Sequence, residues 1–322
     1  MTPSSDPVGL SSLISRRQPQ LMRRVSKVKM LVGLVVPSLR RDIRFLGVRE
    51  VDFGSRLRVI AGKYIWRAAS LVHVNIPDRL TFCGRPFWFG GPMDLSHLQY
   101  VILDVRDIVR RFGFRQQVAI NIVDVGAHNG ETAIAFDLFL PGSIVYSFEP
   151  NPTSFERARA NTSGRNVKLF RLGLSDHNGA ELFVMAPWDA MSTFELPGDT
   201  DKHLHGASHL TVQRGDEIID LTTIDFLKVD VEGYEGHVMR GLEGVLDRVQ
   251  FLAIEWSLVR RKDNVFGDLA EILSRHDFDL IGTSPPSYSE DGANQITVDM
   301  YFHRTASGQG VATTTPTEEV VK

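Results

Sequence analysis

Residues Asp124-Val-Gly126-Ala-His128-Asn129-Gly130 follow an apolar run and lead into a segment of helical character. Small residues at such a junction let the backbone adopt conformations, and approach a ligand to distances, that a Cβ would obstruct. The free N–H groups of the helix start, at Glu131 and Thr132, favour a carboxylate or phosphate. A dinucleotide loop reads G-x-G-x-x-G, its middle glycine admitting the pyrophosphate. Counted from Gly126, that middle position is His128. A bulky side chain there argues for a nucleotide-like ligand without a diphosphate.

Further polar residues follow later apolar runs. Glu149 closes the next one in "SFEPN", 19 positions after Gly130. Its two oxygens suit the two donors of a ribose diol, which does not separate NAD from S-adenosylmethionine. Ser175 and Asp176, in "LGLSDHNG", follow the third run and are placed to meet an adenine ring or its exocyclic amine. In a parallel α/β sheet, ligands gather outside the carboxyl ends of the strands. Three such signals after three successive strands are hard to assign to structural accident.

The elements that must position these residues read as a doubly wound α/β sheet. Strands are expected at Ile120–Val125, Ile144–Phe148, Val167–Leu172, Phe226–Val229 and Phe251–Glu255, each apolar on successive positions, as strands covered on both faces are. Helices are expected at Glu131–Leu140, Pro152–Asn161, Glu235–Leu246 and Phe266–His276. At the end, "DFDLIGT" and "QITVDMYFHR" flank a turn-rich stretch and predict an antiparallel hairpin. The "FCGRPFWFGGPMDLSHL" stretch reads as an irregular lid or entry segment. The expected organisation is a basic extension over 1–67, an irregular or helical lead-in over 68–117, a catalytic domain over 118–305 and a disordered tail over 306–322.

Charge divides the chain in the same way. Residues 1–67 carry 14 Lys and Arg against 4 acids, a net of +10, and the overall −3 leaves −13 for the rest. A basic arm of this kind can meet anionic lipid, nucleic acid or its own acidic body. A peripheral membrane contact is the partner considered for it, and nucleic acid is not expected. "MLVGLVV" is far too short to span a bilayer. The single cysteine, Cys83, removes a disulfide framework and points to a reducing, cytoplasmic setting.

Taken in order, "IVDVGAHNGETAIAF", "YSFEPNPTSFERARAN", "LGLSDHNGAELF" and "IDFLKVDVEGYEGHVMRGLEGVL" resemble the FkbM family of S-adenosylmethionine-dependent methyltransferases. The resemblance spans roughly Val118 to Trp256, and "KVDVEGYE" with "FEPNP" is its most specific part. It implies a class I methyltransferase (Rossmann-like) fold, a seven-stranded sheet with the last strand antiparallel. It also implies S-adenosyl-L-methionine as cofactor and methylation of a hydroxyl on a sugar, glycolipid or secondary metabolite. By position, Asp124, Gly126, Ala127, His128, Asn129 and Gly130 would surround the methionine end of the cofactor. Glu149 would take the ribose, and Ser175 with Asp176 would lie near the adenine. Asp230 and Glu232 would face the methyl group and its acceptor. The family's acidic pair before the fourth strand is not secure here, so Asp216 and Glu217 receive no role.

An alcohol acceptor must lose a proton, which calls for a base or a metal. Asp230 is the candidate base or orienting group, Glu232 the second acid and His128 a competing base, and Glu255 with Trp256 could floor the acceptor pocket. Glu232 has a rival reading as a helix-capping carboxylate, and His128 as a packing side chain. Asp201, His203, His205 and His209 in "DKHLHGASH" are read as a polar loop, and no metal ligands are assigned. Two alternatives stay open: a nicotinamide-dependent oxidoreductase, disfavoured by His128, and a non-catalytic binding protein of the same fold.

Overall fold

The structure, a computed structural model, describes residues 38–71, 77–114, 117, 119–185, 193–194, 206–258, 265–285, 287–288 and 295–305. Helices α1 (38–46) and α2 (Phe53–Leu71) precede a hairpin of β1 (Arg79–Phe82) and β2 (Arg85–Trp88), then the long α3 (Pro92–Arg111). The alternating part runs β3 (Asn121–Val125), α4 (Glu131–Phe139), β4 (Ile144–Phe148), α5 (Pro152–Asn161) and β5 (Val167–Phe170). A second sheet interrupts it: β6 (Gly173–Ser175), β7 (Gly179–Met185), β8 (Thr193–Phe194) and β9 (Gly206–Arg214). The short α6 (Gly215–Ile218) leads into β10 (Ile224–Val229), α7 (Glu235–Gly241), α8 (Glu243–Leu246) and β11 (Val249–Ser257). The chain closes with α9 (Phe266–Arg275), β12 (Phe278–Thr283), β13 (Ser287–Tyr288) and β14 (Gln295–Arg304).

The main sheet has the order β12-β14-β11-β10-β3-β4-β5, with β13 pairing β14. Strands β5, β4, β3, β10 and β11 pair in parallel, whereas β14 runs antiparallel between β11 and β12. This is the class I methyltransferase sheet, with its last strand inserted in from the edge. The order reverses direction beside β3, so the loops after β3 and β10 open on a shared crevice.

Alternation along the strands sorts side chains into two cores. Val123, Leu227, Ile254 and Met300 pack with α7, α8 and α9, while Ile122, Phe226, Ala253 and Tyr301 pack with the helices on the opposite face. By the same period of two, Asp124, Lys228, Glu255 and Asp299 belong to that second face. They occupy neighbouring strands: Lys228 is in register with Asp124, and Glu255 with Asp299. A polar row therefore crosses β3, β10, β11 and β14 beneath α3.

Three expectations change. The stretch read as irregular holds the turn and second strand of the β1–β2 hairpin and then the first turns of α3, and the hairpin is turned by Cys83 and Gly84, both at positive φ, as in a type I′ turn. The helix expected over Glu235–Leu246 is broken at Leu242, between α7 and α8. The described part of the basic extension is an integral layer: Phe45, Val48, Val51 and Val59 are buried in the core shared with α3, and the boundary at 67 falls inside α2. Most of that extension (1–37) and the tail expected to be disordered (306–322) lie outside the described residues. Asp201, His203 and His205 do too, and His209 lies on an exposed part of β9.

Candidate active site

The loop after β3 is pinned before any ligand is considered. The N–H groups of Gly126 and Ala127 both donate to Phe148 O, at the end of β4. Gly126 has φ 89°, and a Cβ there would stand 1.8 Å from the Asp230 carbonyl oxygen. The space that glycine vacates is thus filled by the loop after β10, a correction to its reading as clearance for a ligand. Gly130, the N-cap of α4 at φ 84°, lies similarly close to α5: its Cβ would approach Thr162 Cγ2 to 2.8 Å. His128 occupies its position at φ 48°, which few side chains adopt without support.

That support is visible. His128 Nδ1 lies 3.2 Å from Glu131 Oε1, and its ring meets that of His97, from α3, edge to face at 5.4 Å. Burial opposes the imidazolium charge, but Glu131, Asp94 and Glu149 outweigh it and push the His128 pKa up to about 9. The raised pKa favours the protonated ring, which is suited to donating to an anion. Asn129 donates through Nδ2 to Asp94 Oδ2 at 3.0 Å and leaves a buried Oδ1 without a partner.

Glu149 stands where "FEPNP" changes the chain from strand to helix. Asn151 caps α5 by accepting from Thr153 N and Ser154 N, and Pro152 occupies the first turn. The Glu149 carboxylate accepts from His128 N through Oε2 and from Asn151 N through Oε1, each at 2.8 Å. Each oxygen keeps a second lone pair. Burial pushes this carboxyl up to about 7, against the pull of His128 and the two backbone N–H groups. Asp124 is fully buried, and its Oδ1 has no hydrogen-bond partner. Its pKa is raised by burial to about 6, opposed by Lys228 and the Thr132 hydroxyl.

These groups fit S-adenosylmethionine. An unsatisfied buried carboxylate oxygen suits an ammonium, a protonated His128 beside the N-terminus of α4 suits an α-carboxylate, and Glu149 suits a ribose diol. Ser175 and Asp176 have other company. Ser175 Oγ lies 2.9 Å from Tyr234 OH, and Asp176 is paired with His237 at 3.0 Å and Arg240 at 2.9 Å. Burial disfavours its charge, but His177, Arg240 and His237 hold the Asp176 carboxyl well below its ordinary pKa. Its charge serves to lock α7 against the loop after β6, a structural use that the adenine reading did not foresee.

Asp230 and Glu232 do converge, together with Glu255. One carboxylate oxygen from each of the three lies within 4.8 Å of the others, an arrangement of oxygen ligands of the kind that hard divalent cations take. Glu232 has φ 54° and Gly233 φ 97°, so the chain turns there instead of continuing as strand. The N-cap of α7, Tyr234, has no side-chain cap hydrogen bond, and Glu235 reaches back to accept from Gly233 N at 2.6 Å, holding the turn. Burial opposes ionisation of Asp230, but Lys228 Nζ, 2.8 Å from Oδ2, more than offsets it and keeps the pKa below the ordinary value. The charge of Asp230, then burial and Glu232, drive the Glu255 carboxyl well above its ordinary pKa.

Sequence reasoning missed Asp94, His97, Tyr100 and Asp104. They lie on α3 at spacings of three and four, so they share one side of the helix. That stripe was the available signal, hidden because Asp94 and His97 fall within the stretch read as irregular. Tyr100 OH donates to Asp299 Oδ2 at 2.8 Å and Tyr301 OH to Asp104 Oδ1 at 2.9 Å. Lys228, inside the "KVDVEGYE" block, was also passed over.

Residues 124–280 match the family described as Methyltransferase FkbM domain. The chain is 32% identical over 138 residues to the hexuronic acid methyltransferase AglP of Haloferax volcanii, covering 41% of this chain and 54% of that protein. It is 27% identical over 155 residues to the 2-O-methyltransferase NoeI of Sinorhizobium fredii, covering 42% and 63%. With the 31-O-demethyl-FK506 methyltransferase FkbM of Streptomyces tacrolimicus it shares 26% over 214 residues, covering 54% and 78%. The chain thus spans little more than half the length of the first of these relatives and under two thirds of the second. The matched segment begins at Asp124, at the end of β3, and takes in Glu149, Asp230 and Glu255: it is over these residues that the chain is similar to the FkbM methyltransferases.

Proposed function

We propose that this chain methylates a hydroxyl group on a sugar, glycolipid or secondary metabolite, using S-adenosylmethionine. The observation that carries the proposal is the division of the crevice into two parts. Asp124 of β3, with His128 and Glu149 in the loops after β3 and β4, are suited to the three polar features of the cofactor, while Asp230 and Glu232 after β10 and Glu255 of β11 form an acidic cluster beside them. The names of the three relatives, which act on a hexuronic acid, at a 2-O position and at a 31-O position, support oxygen as the acceptor atom.

When bound, the cofactor supplies an electrophilic methyl group on a sulfonium. The chain's own residues hold the acceptor and manage its proton. Asp230, kept ionised by Lys228, accepts a hydrogen bond from the acceptor hydroxyl and aligns it. Asp230, the ionised carboxylate of the two, is also the group that takes the proton, while Glu255, pushed toward its neutral form by the Asp230 charge, stands beside it as the second acid. The pair titrates as a unit, so the division of labour is between coupled groups. Alpha-helix α3 covers this face and limits access of water to the acidic row.

Calorimetry with S-adenosylhomocysteine and with NAD, followed by radiolabelled methyl transfer to extracted glycolipids and metabolites, tests the proposal. Binding of the first ligand alone, with label recovered as a base-stable methyl ether, is the expected result. NAD binding without S-adenosylhomocysteine binding would overturn it.

A further inference from the structure

Large apolar side chains of the first two helices stand at the surface: Leu39, Ile43 and Leu46 of α1, and Phe53, Leu57 and Ile65 of α2. Scattered singly, such residues would need no explanation, but these form rows. On α1 they recur at spacings of four and three. On α2 the exposed Ala61 and Ala68 continue the row from Phe53 and Leu57 to Ile65, so one stripe runs the length of the helix. Ser55, Val59 and Lys63, all buried, hold the opposite face of α2 against the body.

The two stripes adjoin. Tyr64 reaches from α2 to Asp42 Oδ2 of α1 at 2.7 Å. At the other end of α1, Arg56 donates to Leu46 O and lies over the Phe53 ring at 5.4 Å. Lys63, buried against Asp42, fixes one helix to the other, so the face is formed before anything meets it.

Charge selects the occupant. Residues 38–71 hold 8 Lys and Arg against 3 acids, a net of +5, and the exposed Arg40 and Arg58 directly follow Leu39 and Leu57 of the stripes. Residues 1–37, outside the described residues, carry 6 against 1, again +5. A second copy docked face to face, or the chain's own amino-terminal extension, would set like charge against like. The body beyond residue 67, at −13, is repelled by an anionic surface, so approach to one turns the helical face toward it. Outward apolar side chains rimmed by arginine, on helices that cannot cross a bilayer, are suited to lying on one.

We infer that the outer face of α1 and α2 docks on a bilayer containing anionic lipid. Leu39, Ile43, Phe53, Leu57 and Ile65 enter the headgroup region, while Arg40, Arg49 and Arg58 meet lipid phosphates. The inference does not depend on the reaction performed in the crevice.

Co-sedimentation of the full chain with vesicles of phosphatidylcholine, alone or mixed with phosphatidylglycerol, tests it. Binding to the mixed vesicles should be at least about tenfold tighter than to the neutral ones, and high salt should reduce that advantage. Ile43→Gln/Leu57→Gln/Ile65→Gln, at exposed positions where folding is not at stake, should lose at least about tenfold in affinity for the mixed vesicles. Arg40→Gln/Arg49→Gln should lose about tenfold or more there and change little on neutral vesicles. Thermal unfolding and S-adenosylhomocysteine affinity should match the parent in both variants, since neither touches the crevice. No binding to either vesicle, equal binding to both, or parental vesicle affinity in the triple variant would overturn the inference. So would a dimer in sedimentation equilibrium that the triple variant disperses.

Discussion

Glu149 is the residue on which cofactor binding most depends. Its carboxylate already accepts two backbone N–H groups, so removing it loosens the loop after β3 as well as losing the ribose contact. Glu149→Ala should weaken S-adenosylhomocysteine binding by about 1–3 kcal/mol in calorimetry; an unchanged affinity would show that the ribose lies elsewhere. The ionised form is the better acceptor, and its pKa stands at about 7 in the free protein. Affinity should therefore rise from pH 6 to pH 8, since below the pKa binding must first displace a proton. Asp230→Asn keeps the shape and removes the charge. Turnover should fall by about 10²–10⁴-fold with cofactor affinity retained, and a fully active variant in the radiolabel assay would exclude it from aligning the hydroxyl.

At the scale of elements, the site depends on how closely the loops after β3 and β10 approach each other. Gly126 makes that possible, because any Cβ would overlap the Asp230 carbonyl and φ 89° is strained for other residues. Gly126→Ala should destabilise the fold by more than about 1 kcal/mol and separate the cofactor loop from the acidic pocket. Urea unfolding should show a lower midpoint, with loss of S-adenosylhomocysteine binding even where the protein stays folded. A variant of wild-type stability and affinity would mean that the two loops do not meet as described. Alpha-helix α3 ties the loop after β3 to strand β14, through Asp94 to Asn129 on one side and Tyr100 to Asp299 on the other.

For the whole molecule, the amino-terminal helices are part of the folding unit. Lys63 of α2 is buried against Asp42 of α1 and Gln99 of α3, so one polar cluster ties the three helices together. Burial opposes the Asp42 charge, but hydrogen bonds from Lys63, Gln99 and Tyr64 hold its pKa below the ordinary value. Its contribution is therefore present at neutral pH and lost as pH falls through that lowered pKa. Lys63→Met leaves the carboxylate buried without its cation and should cost about 3–5 kcal/mol in denaturant unfolding. A cost near zero would show that this layer is only loosely attached. Among the described residues no helix is long and apolar enough to cross a membrane.

The alternating half of the molecule was legible because its signals are local. "FEPNP" carries its own strand end, cap and helix start, and "VDVGAHNG" its own loop, so Glu149 and His128 could be placed from neighbours in the chain. The loop composition and the absence of a middle glycine also pointed to the cofactor class before any coordinates. Tertiary structure decided what depends on residues far apart in sequence. It assigned the space beside Gly126 to Asp230, tied Asp176 to Arg240 and His237, and paired Glu255 with Asp299. Which carboxylate is basic could not be read from the chain either, because a pKa is set by burial and neighbouring charge, and both arise only when β3, β10, β11, β14 and α3 come together.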